Sequence, residues 1–330
     1  MAFDKVLGQN TVITILKNAL SQNRLSHAYI FTGKSGVGKA QAAFEFAKAT
    51  NCKSKEDDAC DQCLSCRKAN NENHPDIKEV MADETSIKID QIRDLQQEIM
   101  YKPYESDKKI YIIHQAEDMT LSAANCLLKT LEEPPSYAII ILLTNNLNKL
   151  LSTTISRCQL IRFRRIPYQL IKDSLVAEYD LSAAKSQLIA SLADGRYDYA
   201  CQLVEEEEQL EMRKEVIEFL ISFPGLTKVE LFEGVQKLLE YKSEANDLLE
   251  IMITWYRDLL LLHLEQKDNI INADRLADLK KNLAEFKMFE IEKIIEIIEE
   301  TNELIKSSNV NLRLAFEVML LKLKQVRRTN

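Results

Sequence analysis

The sequence predicts an α/β domain built on a doubly wound parallel sheet, followed by all-helical domains. Three observations carry this expectation. Apolar runs of strand length alternate with helical stretches as far as Pro167 and then stop. Five of the six prolines and four of the seven glycines lie at or before that residue. The charge changes there too: residues 1–166 hold 22 basic and 20 acidic side chains, while residues 167–330 hold 21 and 31. A chain of 330 residues, 46% hydrophobic and 28% charged, is also too large for one core and splits into domains.

In chain order, the strand candidates are 28–31, 77–81, 110–113, 139–143 and 160–163. Several are continuous β-branched runs, which suits parallel strands covered on both faces. Helical patterns fill the intervals at 9–21, 39–50, 88–100 and 121–132. Beyond Pro167 come helices at 168–178, 183–193 and 199–206. From about Gln209 the chain is rich in Leu, Ile, Glu and Lys at helical spacing, broken clearly only at Pro224-Gly225. The domains expected are therefore 1–166, 167–208 and 209–330. No apolar run is long enough to cross a bilayer and the N-terminus lacks a signal-type apolar segment, so a cytoplasmic protein is expected. A net charge of −8 argues against general nucleic-acid binding; the run Arg162, Arg164, Arg165 is a local exception.

The first functional motif is Gly33-Lys34-Ser35-Gly36-Val37-Gly38-Lys39-Ala40, directly after a strand and before a helix. In that context Gly33, Gly36 and Gly38 let backbone N–H groups cradle phosphates, and Lys39 reaches them. Two features are out of place. The motif should close on Ser or Thr, whose hydroxyl binds Mg²⁺, but Ala40 has no oxygen. The strand 110–113 should be followed by carboxylates for metal and water, yet His114-Gln115 stand there. The expectation is a nucleotide fold without hydrolysis, with ATP binding weak or absent. Glu117 and Asp118 follow soon after and are expected to cap or face solvent.

Four of the seven cysteines, Cys52, Cys60, Cys63 and Cys66, fall within fifteen residues. Two C-x2-C steps plus a fourth thiolate suit a closed tetrahedral site, hence structural Zn²⁺ in a surface knuckle. Iron–sulfur ligation is the alternative, with no accompanying redox motif. A reducing compartment disfavours paired disulfides. The knuckle carries polar filler that includes Glu56, Asp57 and Asp58. Cys126 and Cys201 sit at helical positions and read as small buried hydrophobes.

Further stretches complete a resemblance: Leu25-Ser26-His27-Ala28-Tyr29-Ile30-Phe31-Thr32-Gly33, His74-Pro75-Asp76, Leu127-Leu128-Lys129-Thr130-Leu131-Glu132-Glu133-Pro134-Pro135, Ser156-Arg157-Cys158, Trp255-Tyr256-Arg257-Asp258 and Asn309-Val310-Asn311-Leu312-Arg313. Together with the glycine loop and the cysteine insertion, they resemble the delta-prime branch of the bacterial AAA+ clamp-loader family, almost end to end. The resemblance implies an AAA+ P-loop domain with a zinc insertion near 52–66, a small helical lid and a C-terminal oligomerisation bundle. It implies a subunit of the DNA polymerase III holoenzyme that joins delta and gamma/tau in a hetero-oligomer and helps place the sliding clamp on primed DNA. It also implies an arginine finger at Arg157, acting in trans on a neighbour's ATP. The gamma/tau relatives carry Thr after the loop lysine, Asp-Glu after the third strand and a sensing arginine three residues after a lid glycine. Here those places hold Ala40, His114-Gln115 and, three residues after Gly195, Asp198, with Arg196 nearby.

From residue chemistry alone, Arg157 beside a strand reads as a local ion pair, and only the resemblance turns that reading toward a finger. Trp255 reads as packing and Arg257 as a surface charge, Asn309 and Asn311 as caps, and Lys129, Glu132 and Glu133 as one solvated helix face. Two rival functions stay open. A self-sufficient P-loop ATPase of gamma/tau type conflicts with Ala40 and Gln115. A zinc-knuckle nucleic-acid binder conflicts with the acidic residues around the cluster, since phosphate affinity rests on Lys and Arg.

Overall fold

The computed structural model describes residues 2–54, 57–83, 85–241, 245–266, 269–307 and 310–326. Two residues singled out above, Glu56 and Asn309, lie outside them. Two compact units are present: Met1–Ser174 with Gly195–Tyr199, and Leu175–Asp194 with Ala200–Asn330.

The first unit holds five strands, β1 (Ala28–Thr32), β2 (Ile77–Val80), β3 (Lys109–Ile113), β4 (Ala138–Thr144) and β5 (Gln159–Arg162). All pairings are parallel, in the order β2-β3-β4-β1-β5. The first strand lies inside the sheet, with Ala28 opposite Ile140 on one side and Tyr29 opposite Gln159 on the other. Its C-terminal end therefore opens between two later strands, where α/β sheets bind ligands.

The helices of this unit are α1 (Asn10–Ser21), α2 (Lys39–Thr50), α3 (Leu64–Asn70), α4 (Ile89–Ile99), α5 (Leu121–Glu132) and α6 (Ser152–Ile155). Because side chains alternate along a strand, each strand feeds two cores. Tyr29, Phe31, Ile110, Ile112, Ile139 and Ile141 pack with Val12, Leu16 and Phe46 of α1 and α2. Ala28, Ile30, Tyr111, Ile113, Ile140 and Leu142 pack with Leu95 and Leu127 of α4 and α5. The strands β3 and β4 are buried throughout, which explains their unbroken apolar sequence.

Three helices follow, α7 (Tyr168–Tyr179), α8 (Ala183–Ala193) and α9 (Tyr197–Glu205). Then come α10 (Glu207–Ser222), α11 (Lys228–Leu238), α12 (Ala245–His263), α13 (Leu276–Leu283), α14 (Met288–Ser307) and α15 (Leu312–Val326). No strand follows β5 among the described residues. In the second unit α12 packs on α10, α13 and α14, and α15 on α11 and α14. Trp255 of α12 is fully buried and donates through Nε1 to Asn282 Oδ1 at 3.1 Å. Asp258, one turn on, accepts from the N–H groups of Ile271 and Asn272. Asn311 caps α15 by accepting from the N–H of Leu314 at 3.1 Å. The Trp255 stretch is thus a packing motif. Cys126 and Cys201 are only half-buried, not the buried positions expected, and the Cys126 Sγ donates to Gln96 Oε1 at 3.0 Å on α4.

Candidate functional site

The glycine loop leaves the end of β1 and enters α2 at Lys39. Gly36 and Gly38 have φ of +74° and +87°, left-handed values that a β-carbon penalises. At Gly36 the space is also taken, since an added Cβ would stand 3.0 Å from Cβ of Arg196. The Lys39 side chain is buried and turned back onto the loop. Its Nζ donates to Gly33 O at 2.8 Å, Lys34 O at 2.6 Å and Asn145 Oδ1 at 2.8 Å. Burial lowers its pKa to about 8, against the opposing pull of Glu117 and Asp198.

Glu117 and Asp198 are thus the two carboxylates whose charge bears on Lys39. The backbone N–H of Asp198 donates to Gly36 O at 3.3 Å, docking the start of α9 on the loop. Burial raises the Asp198 carboxyl above its ordinary pKa, and Lys39 opposes that rise. Glu117 accepts from the N–H of Asn145 at 2.9 Å, and its second oxygen is buried without a hydrogen-bond partner among the described residues. The expectation that Glu117 caps or faces solvent is therefore corrected. Gln115 takes a left-handed conformation, φ 43°, and a 3-10 turn over Ala116–Asp118 brings Glu117 back toward the end of β4.

The positions that should anchor metal and water are turned to other uses. Ala40 is exposed in the first turn of α2. His114 Nε2 lies 2.6 Å from Glu79 Oε2 at the β2 edge of the sheet. The site thus joins a glycine loop to a buried lysine, with no hydroxyl at 40 and no carboxylate at 114 or 115.

The cysteine insertion leaves the end of α2. The Sγ atoms of Cys52, Cys60, Cys63 and Cys66 all lie within 4.8 Å of one another, and Cys60 and Cys66 are 3.9 Å apart. A tetrahedron with ~2.3 Å metal–sulfur arms has edges of about 3.8 Å, so the donors fit a four-thiolate ion. Backbone N–H groups aim at the sulfurs: Cys60 N at Cys52 Sγ (3.4 Å), Cys63 N at Cys60 Sγ (3.2 Å) and Cys66 N at Cys63 Sγ (3.5 Å). The N–H groups of Cys63 and Gln62 pull the Cys60 thiol down to about 6, into thiolate range at neutral pH. Burial pushes Cys66 the other way, and a metal cation offsets such a rise directly. The cluster can hold one metal ion.

The insertion is tied to the sheet domain by buried charge. Lys48 of α2 is fully buried and reaches Glu45 Oε2 and Asp61 Oδ1 at 2.6 Å each and Asn70 Oδ1 at 2.9 Å. Asp58 accepts from the N–H groups of Phe3 and Ala59 and pairs with Lys17. The His74-Pro75-Asp76 motif has a similar explanation. The Asp76 carboxylate gathers the N–H groups of Tyr104, Glu105 and Ser106, and buried His74 meets Ser65 Oγ at 3.0 Å.

Arg157 follows α6, half exposed. Its Nη1 donates to Thr153 O at 2.8 Å and its Nη2 to Glu132 Oε1 at 2.6 Å. Sequence reasoning named Lys39, the four cysteines and Arg157. It missed Asn145 and Lys48, and it misjudged Glu117. Asn145 carried one usable signal, a polar residue directly after an all-apolar strand. Lys48 carried none, since a lysine in an alanine-rich helix reads as solvated.

Two family models match the chain, "DNA polymerase III, delta subunit" over residues 8–167 and "DNA polymerase III, delta subunit, C terminal" over residues 207–325. The DNA polymerase III subunit delta′ of Bacillus subtilis is 33% identical across 96% of both chains. The tau subunit of the same organism is 31% identical over 98% of this chain and 61% of its own length. Among solved structures, a DNA polymerase III gamma subunit-related protein of Thermotoga maritima superposes with a TM-score of 0.53. It has 18% identity and covers 96% of this chain and 99% of its own, a likeness of fold. With a parallel sheet, a phosphate loop at its switch point and a helical C-terminal region, the chain belongs to the DNA polymerase III delta′ family of AAA+ clamp-loader subunits.

Proposed function

We propose that this chain is the fixed, non-hydrolysing member of a clamp-loader hetero-oligomer with delta and gamma/tau. In that assembly it helps load the sliding clamp onto primed DNA in the cytoplasm. Arg157 enters a neighbour's ATP site as an arginine finger, and Cys52, Cys60, Cys63 and Cys66 hold a structural Zn²⁺. The division of labour follows residues 1–166 as the nucleotide-type domain, 167–208 as the lid and 209–330 as the oligomerisation bundle. The observation that carries the reading is the state of the phosphate loop: Ala40, His114 and Gln115 stand where metal and water need oxygen ligands. Lys39 is meanwhile bonded to the loop's own carbonyls, within electrostatic reach of Asp198. Losing such groups commonly removes orders of magnitude in rate. Nucleotide affinity at Gly33, Gly36, Gly38 and Lys39 is accordingly weak or absent.

The test has two arms. The isolated chain should show no ATP turnover; turnover that a Lys39→Ala variant abolishes would establish the rival ATPase. In the reconstituted assembly, Arg157→Ala should leave complex formation intact and lower clamp-stimulated, DNA-dependent hydrolysis. Arg157→Lys should rescue poorly, because an ammonium lacks the planar fork. An Arg157→Ala complex that turns over ATP like the unmodified one removes the trans-acting role.

A further inference from the structure

The Leu127–Pro135 motif, to which no chemistry has been given, meets the Ser156-Arg157-Cys158 motif at one contact. The Leu127–Pro135 stretch ends α5 at Glu132, and Pro134-Pro135 prevent the helix from continuing. The Ser156-Arg157-Cys158 stretch ends α6, and the N–H of Arg157 donates to Thr154 O at 3.2 Å. From this anchored backbone the guanidinium reaches acceptors on two different helices, Thr153 O on α6 and Glu132 Oε1 on α5.

An ion pair this exposed contributes only about 0–1 kcal/mol to stability, so fold stability does not account for it. Its effect on the arginine is orientational. A long side chain that samples many rotamers is held in one by a carbonyl on Nη1 and a carboxylate on Nη2. Nη1 also lies 3.5 Å from Ser156 Oγ, and the remaining donors of the fork stay available for the oxygens of a second anion. We infer that Glu132 is a positioning residue for Arg157, holding its guanidinium ready for the phosphate of a neighbouring subunit. The inference rests on the trans-acting reading of Arg157.

The experiment reconstitutes the assembly with the unmodified chain, Glu132→Gln, Arg157→Ala and the double variant, and measures kcat and KM for ATP with clamp and primed DNA. Misplacing a catalytic group by about an ångström can cost up to ~100-fold in rate, so Glu132→Gln should lower kcat by about 10-fold. KM should stay unchanged, because ATP is bound by the neighbour. The double variant should be no slower than Arg157→Ala. Glu132→Asp, one methylene shorter, should show the same deficit, and Glu133→Gln should show none. If Arg157→Ala slows turnover while Glu132→Gln does not, positioning is refuted and the finger stands. A double variant slower than Arg157→Ala also refutes it, since Glu132 would then act by another route. An Arg157→Ala assembly at full rate removes the finger and the inference with it.

Discussion

Replacing Lys39 with methionine isolates the energetic consequence of a buried ammonium. In the folded chain its pKa falls from 10.5 to about 8, with burial the leading cause. At about 1.4 kcal/mol per pH unit, that fall corresponds to about 3 kcal/mol. Below pH 8 the lysine is protonated in both folded and unfolded chains, and the penalty is constant. Between about 8 and 10.5 the unfolded chain keeps a proton that the folded chain has released, so stability rises with pH. The difference in unfolding free energy, unmodified chain minus Lys39→Met, should therefore climb from pH 7 toward pH 10.5 by up to about 3 kcal/mol. At neutral pH the two proteins should lie closer, because methionine also strands the acceptors on Gly33, Lys34 and Asn145 at about 1 kcal/mol each. Urea unfolding at pH 7, 8, 9 and 10 gives the difference directly. Far-ultraviolet circular dichroism is the probe, since the single tryptophan, Trp255, reports only on the second unit. Parallel stability curves for the two proteins would refute the reasoning.

Metal analysis of the purified chain should return about one zinc, and Cys63→Ala should lose it while Trp255 fluorescence stays native; iron with visible absorbance would sink the zinc assignment. Lys48→Met takes the nearer cation from the buried Glu45 carboxylate, leaving only Lys5 at 3.7 Å, and should destabilise the first unit by about 3 kcal/mol in urea unfolding. A cost below about 1 kcal/mol would show that the charge is not isolated from water.

What the sequence made legible was local. The strands announce themselves as unbroken apolar runs, and observed boundaries differ from expectation by one or two residues, as at β3 and β5. The glycine loop and the four cysteines are equally local, because spacing alone brings their donors together. The contacts that decide chemistry are not. Lys39 and Asp198 meet only when α9 returns to the loop, and Glu132 reaches Arg157 only because α5 and α6 end side by side. Glu117 was misjudged because a left-handed residue, Gln115, reverses the chain where extended geometry would have pointed the side chain outward. The helix α3 escaped notice inside the cysteine insertion, at seven residues too short for periodicity to register.

Helix α2 has one further consequence. Its twelve residues span about 18 Å, with the phosphate loop at one end and the cysteine insertion at the other. Near the far end Lys48 is spiked into Asp61 and Asn70 of the insertion, and the near end is held by Lys39 bonded to Gly33, Lys34 and Asn145. A helix pinned at both ends behaves as a strut: it neither slides along its axis nor turns about it without breaking a buried charge contact. In the assembly proposed above, neighbours that change shape as they turn over nucleotide would push against a helix held at both ends, the way moving gears need one shaft fixed to the frame.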